Sequence, residues 1–153
     1  MKKALILIAL FALAGCSKQV VRFDQYSVAM NLTVDADSSV YLGDGDKFNG
    51  VLFIAPILRE ENQPVSAVKL IQNYGRYYLC AEEFKNVWMI EPVSGGTEGK
   101  FKAIDVTPED ETDQLRNISL SRYGTEEKAC VRFRFNGKEI FINQKGGLNE
   151  ECK

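Results

Sequence analysis

The chain has 153 residues, with 19 Lys and Arg against 21 Asp and Glu, so its formal net charge is −2 and it lacks the basic excess on which nucleic-acid recognition normally rests. It contains no histidine, which excludes Ser-His-Asp and Cys-His nucleophile pairs and removes the commonest general base and metal ligand. We therefore expect a protein that is not an enzyme, with no catalytic residue, no metal site, no cofactor and no nucleic-acid partner.

Residues 1–15 have the pattern of a secretory signal peptide. Lys2 and Lys3 form a positive start, and residues 4–14 form an apolar run that is shorter than the roughly 20 apolar residues of a bilayer-spanning helix. The run ends in Leu-Ala-Gly-Cys, which resembles the lipobox of bacterial lipoproteins. That resemblance implies cleavage before Cys16, diacylation of the Cys16 thiol and acylation of the new amino group.

Lipid on Cys16 predicts a soluble domain tethered to a membrane, because two or more acyl chains anchor a protein firmly where one anchors it marginally. In enterobacterial lipoproteins an aspartate after the cysteine retains the protein in the inner membrane, so Ser17 implies the outer membrane, with the domain facing the periplasm. We expect residues 16–25 to be the lipidated tether and residues 26–153 to be a β-domain. Cleavage leaves 17 basic and 21 acidic residues, a formal charge of −4.

The region after the tether predicts an all-β fold, a single antiparallel β-sandwich or small barrel, because short strand-like segments alternate with turns. In chain order these segments are YSVAMNLTV, SVYL, VLFIAPIL, VSAVKLIQN, RYYLCAEEF, NVWMIEPV, KFKAIDV, NISLSRY, ACVRFRF and KEIFIN. Pro56 interrupts the third segment, which we expect to be a buried strand with a bulge or an edge strand. The Gly-rich residues 94–99 predict a turn. Residues 107–116 predict one or two helical turns, since Pro108 suits a first helical position.

The most detailed local prediction is a hairpin around Asn136-Gly137, because Asn-Gly favours the type I′ turn of a two-residue hairpin. The predicted register contains four pairs, two on an apolar core side and two on the other side: Phe133 with Ile140, Val131 with Ile142, Arg134 with Glu139, and Arg132 with Phe141. This register places Cys130 on the arginine side, away from the core. Tyr74-Gly75 predicts a second hairpin turn.

Three cysteines remain besides Cys16, and in an oxidising periplasm they are candidates for a disulfide. An odd number predicts one bridge and one leftover thiol. Cys130 with Cys152 closes a short loop, worth about 3 kcal/mol in the chain-entropy model. Cys80 with Cys130 is the alternative, and the sequence does not decide between them. Their irregular spacing does not fit a zinc site.

Acidic residues are plentiful, but nothing marks a catalytic or calcium-binding set among them. The glutamate pairs in REEN, AEEF, TEEK and NEEC occur where the chain is expected to reverse, and we interpret them as solvated turns. The stretches DADSS and GDGDKFNG contain closely spaced aspartates, but the second fails the EF-hand spacing. Both are interpreted as polar turns.

Two clusters are candidates for contact with a protein partner. The acidic run PEDETD suits a basic partner through charge complementarity, the alternative being a solvated helix start. Its candidate residues are Glu109, Asp110, Glu111 and Asp113. In YGRYYLC, Tyr77 and Tyr78 are candidate interface anchors, although strand alternation turns half of such residues toward the core.

In overall size, in its Leu-Ala-Gly-Cys start and in its cysteines within YYLC and KACVRF, the chain resembles the type VI secretion immunity periplasmic lipoproteins of enterobacteria. The resemblance extends over most of the chain and transfers no binding residue. It implies neutralisation of a toxic effector in the periplasm by tight binding. We therefore expect a membrane-anchored inhibitor or immunity protein, the alternative being an accessory lipoprotein of an envelope assembly such as a secretion or pilus apparatus.

Overall fold

Short strands separated by tight turns occupy most of the described chain, which comprises residues 29–44, 47–92, 99–107, 114–125 and 128–152 of a computed structural model. β-Branched and aromatic residues recur in the strand segments, and such residues suit a pleated, half-buried surface. The described residues form eleven strands and one helix, in this order: β1 (Met30–Thr33), β2 (Ser39–Asp44), β3 (Lys47–Phe53), α1 (Ala55–Glu61), β4 (Ala67–Asn73), β5 (Arg76–Cys80), β6 (Asn86–Pro92), β7 (Gly99–Asp105), β8 (Ser119–Tyr123), β9 (Cys130–Phe135), β10 (Lys138–Ile142) and β11 (Leu148–Asn149).

These strands form three separate antiparallel sheets. One has five strands in the order β1-β4-β5-β6-β7, the second has four in the order β11-β10-β9-β8, and β2 and β3 form the third. The predicted all-β fold is confirmed, and the sheets are layered rather than closed on themselves. NVWMIEPV and KFKAIDV pair as predicted, as β6 and β7. The turn predicted between them falls almost wholly outside the described residues.

The five-stranded sheet is covered on both faces. On one face the Tyr78 hydroxyl donates a hydrogen bond to the carbonyl oxygen of Asn143 at 3.2 Å, just beyond β10 of the four-stranded sheet. Trp88 lies opposite Leu79 and therefore points to the other face, where its indole N–H donates to Glu61 of α1 at 2.7 Å. The four-stranded sheet and α1 therefore pack against opposite sides of this sheet.

A continuous cluster of buried side chains fills the spaces between these layers. Its largest fully buried members come from the two larger sheets, from α1 and from the connections: Tyr78, Phe84, Phe133, Phe135, Ile54, Ile57, Leu70, Leu79, Ile90, Leu115, Leu120 and Ile142. The rings of Phe133 and Phe135 stack with centroids 4.9 Å apart. Full burial of such a side chain is worth about 1.5–3 kcal/mol, so this core is the main source of stability.

The hairpin predicted around Asn136-Gly137 is confirmed in every pair. β9 and β10 place Phe133 opposite Ile140, Val131 opposite Ile142, Arg134 opposite Glu139 and Arg132 opposite Phe141. The φ angles of Asn136 and Gly137 are 49° and 76°, the left-handed values that a type I′ turn requires. The second predicted hairpin also forms, with Tyr74-Gly75 joining β4 to β5.

The segment VLFIAPIL differs from its prediction. Strand β3 ends at Phe53, and helix α1 begins at Ala55 with Pro56 in its first turn. Proline lacks the N–H that a strand ladder needs, but that N–H has no partner in the first turn of a helix. The helix buries Ile57 and Glu61, which are one turn apart, and its C-cap is Asn62, which has a left-handed φ of 52°.

Two other predictions concern segments of which the structure describes only a part. The first predicted strand, YSVAMNLTV, is described from residue 29, and β1 begins at Met30. Residues 108–113 of the predicted helical turns lie outside the described residues, and residues 114–116 are not helical.

The structure joins Cys130 to Cys152 and leaves Cys80 as a buried free thiol. Cys130 shares the face of Arg132, as predicted, yet its side chain is buried because the C-terminal segment lies over it. Burial raises the pKa of the Cys80 thiol well above its usual range, so this group stays protonated at neutral pH.

Candidate functional site

A cleft of about 390 Å³ lies where the five-stranded and four-stranded sheets meet. One wall is formed by residues 72–75, the end of β4 and the turn into β5. The other is formed by residues 122–125, the end of β8 and the start of its connection to β9, together with Ala129. These walls are about fifty residues apart in the sequence, so the cleft exists only in the folded chain.

Arg122 links the two walls of the cleft. Its Nε donates a hydrogen bond to the carbonyl oxygen of Gln72 at 2.6 Å. Arg122 lies opposite Val131, a fully buried core residue, so its side chain points between the two sheets. This contact holds a cationic side chain where the two walls of the cleft meet.

Asn73 contributes a buried amide. The side chain is only 3% exposed, and its Nδ2 has no hydrogen-bond partner. Asn73 alternates with Lys69 and Ile71 on the face of β4 that meets the four-stranded sheet, where Lys69 donates to the carbonyl oxygen of Ile118 at 2.8 Å. The amide therefore points into the space between the sheets at the cleft. Buried donors without a partner are uncommon in native proteins, and each calls for an explanation.

Two of the lining residues are exposed tyrosines. Tyr74 is 44% exposed and Tyr123 is 48% exposed. The Tyr123 ring lies 5.0 Å from that of Phe141, and the guanidinium of Arg132 lies 5.6 Å from the Tyr123 ring centroid. These contacts pack the Tyr123 ring on the outer face of the four-stranded sheet, the face opposite to the side chain of Arg122.

Backbone constraints fix both walls. Tyr74 and Gly75 have φ angles of 51° and 72°, the tight-turn geometry that exposes the Tyr74 ring. Gly124 has a φ of 89°, and a Cβ there would lie 2.3 Å from the carbonyl oxygen of Lys128 and 3.1 Å from Sγ of Cys152. Only glycine fits this position. The disulfide therefore packs directly against the wall of the cleft.

The lining chemistry suits binding. The described lining residues offer amide and guanidinium donors, a hydroxyl from Thr125 and two aromatic rings, and none of them is a carboxylate or a thiol. Glu126 and Glu127, in the same connection, lie outside the described residues. No group of three or more Cys, Asp or Glu side chains that suits a metal ion occurs within the described ranges.

A second surface feature lies on the β2–β3 hairpin. Tyr41 and Val51 face each other across the strands, and Phe53 follows two residues after Val51 on the same side. Their exposed fractions are 46%, 38% and 42%. We call these three residues the hairpin patch.

Glu61, from the REEN stretch interpreted above as a solvated turn, is instead 5% exposed. Its carboxylate accepts four hydrogen bonds, from the backbone N–H groups of Lys85 and Asn86, the Asn86 side-chain amide and the Trp88 indole. This complete set of donors gives the carboxylate a structural role. The turn interpretation missed it because α1, which carries Glu61 inward, was not predicted.

The candidate tyrosines are corrected by the structure. Tyr77 and Tyr78 are 6% and 0% exposed, so neither presents a ring to a partner. Simple alternation predicted one inward and one outward side chain, but β5 is the central strand and is covered on both faces. Tyr74, in the same YGRYYLC cluster, is the exposed member.

The remaining sequence candidates divide into two groups. Cys130 and Cys152 form the disulfide, close to the cleft, and Cys80 is buried in the five-stranded sheet. The others lie outside the described residues: Cys16, Glu109, Asp110, Glu111 and Asp113. The sequence analysis did not identify the cleft, and the only local signal for it was the Tyr74-Gly75 turn.

Comparisons with family models, with curated proteins and with solved structures found no match. Among the described residues, no helix has both the length and the apolar character that a membrane crossing requires.

Proposed function

We propose that this protein is a lipid-anchored binding protein of the bacterial cell envelope that inhibits a toxic effector protein, acting as its immunity protein. It uses no catalytic residue and no cofactor. The observation that carries the binding role is the cleft, whose lining includes a buried amide donor without a partner and two exposed tyrosines. Tyrosine is enriched among the residues that dominate binding energy at protein interfaces.

The location follows from the start of the chain. Lipid on Cys16 holds the domain at the periplasmic face of the outer membrane, where it meets an incoming effector. The Leu-Ala-Gly-Cys sequence and Ser17 support this part of the proposal. Radioactive palmitate should label the wild-type protein and fail to label Cys16→Ala. Labelling that persists in Cys16→Ala would contradict the anchor.

The alternative is an accessory lipoprotein of an envelope assembly, such as a secretion or pilus apparatus. The hairpin patch favours it, because exposed apolar residues grouped on one face suit a permanent protein neighbour.

A pull-down distinguishes the two functions. The acylated full chain with a C-terminal tag is captured from detergent-solubilised envelopes, and its partners are identified by mass spectrometry. Inhibition predicts one dominant small partner, whose toxicity to a strain lacking this protein is relieved by restoring it. Stoichiometric recovery of many components of one envelope machine would establish the accessory role instead.

A further inference from the structure

We propose that the outer edge of β7 binds an extended segment of the protein partner, which adds to the five-stranded sheet as a further strand and alternates acidic with apolar residues. This inference rests on the proposed function, because it names the form and the chemistry of the partner that such a binding protein contacts.

The first step is to find which backbone groups of β7 point outward. The two-residue turn between β4 and β5 makes Asn73 and Arg76 a hydrogen-bonded pair. Successive residues of an antiparallel strand bond to opposite sides, so Tyr77 bonds toward β6, where it lies opposite Ile90. The residues of β6 that bond to β7 are therefore those that alternate with Ile90.

Met89 is one of these residues, and it lies opposite Lys102 of β7. The backbone of Lys102 therefore bonds inward, while the N–H and C=O groups of Phe101 and Ala103 point away from the sheet. Pro92 agrees with this assignment, because its missing N–H falls on the β5 side of β6, beyond the last pair with β5.

The outer edge of β7 is unpaired in the part of the chain that the structure describes. No described residue forms a hydrogen bond with the backbone groups of Phe101 or Ala103 on their outward side. A row of such groups is a template for another strand, and proteins use it to bind extended segments. With seven residues, β7 offers a longer edge than β1, which has four.

The charge beside this edge selects an acidic segment. Lys100 and Lys102 are exposed at alternate positions, on the face that meets the four-stranded sheet. Lys102 donates to the carbonyl oxygen of Lys145 at 3.0 Å, a contact that holds the ammonium without neutralising it. Within the described strands β5, β6 and β7, this face has one carboxylate, Glu91, which lies opposite Lys100 and pairs with Arg76 at 2.8 Å. The three cations therefore exceed the one anion.

The same pattern decides against a second copy of this chain. Two copies joined along β7 would bring the lysines of one copy to the same face as those of the other, and like charges on neighbouring strands destabilise a sheet. On the opposite face, Phe101 and Ala103 are half-buried and pack against the core, so apolar residues of an added strand would extend that layer. The segment that suits both faces alternates acidic and apolar side chains.

The edge itself is tested by amide hydrogen exchange, followed by ¹⁵N–¹H NMR on the full acylated chain in detergent micelles. We expect the amides of Phe101 and Ala103 to exchange at least tenfold faster than those of Lys102 and Ile104, which bond to β6. Equal exchange rates for the four amides would overturn the proposal. Slow exchange of Phe101 and Ala103 that appears only at high protein concentration would also overturn it, in favour of a second copy.

The chemistry is tested with two end-blocked hexapeptides, one alternating valine with glutamate and the other alternating valine with lysine. We expect the glutamate peptide to cause saturable shifts and slower exchange of the Phe101 and Ala103 amides. The lysine peptide should bind at least tenfold more weakly. Equal binding of the two peptides, or no response of these two amides, would overturn the proposal.

Variants extend the test to the partner. Ala103→Pro removes an outward N–H and leaves the inward bonds of Lys102 and Ile104 in place, and edge strands tolerate proline at such positions. Lys100→Glu reverses a charge beside the edge and leaves the backbone unchanged. Asn31→Pro is the matched control, because by the same alternation the N–H of Asn31 points outward from β1, at the other edge of this sheet. Preserved NMR dispersion shows that each variant folds.

We expect Ala103→Pro and Lys100→Glu to lower recovery of the partner in the pull-down at least tenfold and Asn31→Pro to leave it unchanged. If the wild-type chain and all three variants recover the partner equally, the edge inference fails while the proposed function stands. If the wild-type chain recovers no partner protein, the proposed function fails, and this assignment of the occupant fails with it.

Discussion

Glu61 holds helix α1 against the beginning of β6 through a fully bonded buried carboxylate. Its two oxygens accept from three residues of the neighbouring segment: Lys85, Asn86 and Trp88. Hydrogen bonds to a charged acceptor are among the stronger ones in proteins. At the residue scale, this side chain therefore fixes the position of α1 relative to β6.

Replacing this carboxylate by an amide tests that role. In Glu61→Gln one acceptor oxygen becomes an NH₂ group that faces existing donors, so we expect a loss of about 2–3 kcal/mol in the free energy of unfolding. Urea titration followed by the fluorescence of Trp88, the only tryptophan of the sequence, measures this loss. Glu60→Gln, at an exposed neighbouring position, is the control and should change stability by less than about 0.5 kcal/mol. Equal effects of the two substitutions would show that the bonds to Glu61 do not matter.

The raised pKa of Tyr78 predicts how the stability of the fold changes at alkaline pH. Burial raises the pKa of its hydroxyl from 10.0 to about 12, opposed by the positive charge of Arg76 and supported by the negative charge of Glu91. Between these values the unfolded chain loses the proton while the folded chain keeps it, so unfolding becomes easier as pH rises. The contribution of the protonated Tyr78 hydroxyl to the free energy of unfolding is complete below about pH 10 and is lost as the pH rises toward about 12.

The measurement compares the urea stability of the wild-type protein and of Tyr78→Phe at pH 9 and at pH 11.5. We expect the wild-type protein to lose about 2 kcal/mol more than the variant over this interval, since each unit of pKa difference corresponds to about 1.4 kcal/mol. The lysines are the same in both proteins, so their effect on stability cancels in the comparison. Parallel losses in the two proteins would show that Tyr78 titrates normally.

At the scale of elements, the disulfide ties the C-terminal segment to the beginning of β9. Cys130 and Cys152 are 22 residues apart in sequence. The bridge closes a loop that contains β10 and β11, and Sγ of Cys152 lies next to Gly124 in the wall of the cleft. The bridge therefore stabilises both the four-stranded sheet and the geometry of the candidate site.

Loss of the bridge should lower the free energy of unfolding by about 3 kcal/mol. Urea titration of the wild-type protein with and without a thiol reductant measures this difference. The double variant Cys130→Ser with Cys152→Ser should match the reduced wild-type protein and should not respond to the reductant, because the buried thiol of Cys80 is already reduced. A midpoint for the wild-type protein that does not respond to reductant would contradict this role of the bridge.

At the scale of the whole molecule, the sequence predicted those features that depend on residues close together in the chain. The register of the β9–β10 hairpin followed from Asn136-Gly137 and strict alternation. Helix α1 was missed because a short apolar run does not by itself distinguish a buried strand from a buried helix, and Pro56 is compatible with either. The burial of Tyr77 and Tyr78 depends on β5 being central in its sheet, which no stretch of sequence specifies.

The cleft could not be predicted from the sequence either, because it depends on which distant segments lie next to each other in the fold. Its walls come from the end of β4 and the end of β8, joined by the contact of Arg122 with Gln72. Asn73 gives no local sign that its amide lacks a partner. The lipid anchor is different, since Cys16 and the residues before it form a contiguous pattern, and its prediction depends on the sequence alone.

The central claim is that a protein partner contacts the cleft in the envelope, and site-specific photo-crosslinking in living cells tests it most directly. The photoreactive residue p-benzoylphenylalanine replaces Tyr74 at the cleft or Phe53 in the hairpin patch, two positions of nearly equal exposure, 44% and 42%. We predict one dominant protein adduct from position 74 and none from position 53. Adducts from position 53 alone would contradict the claim and would favour the accessory role through the hairpin patch.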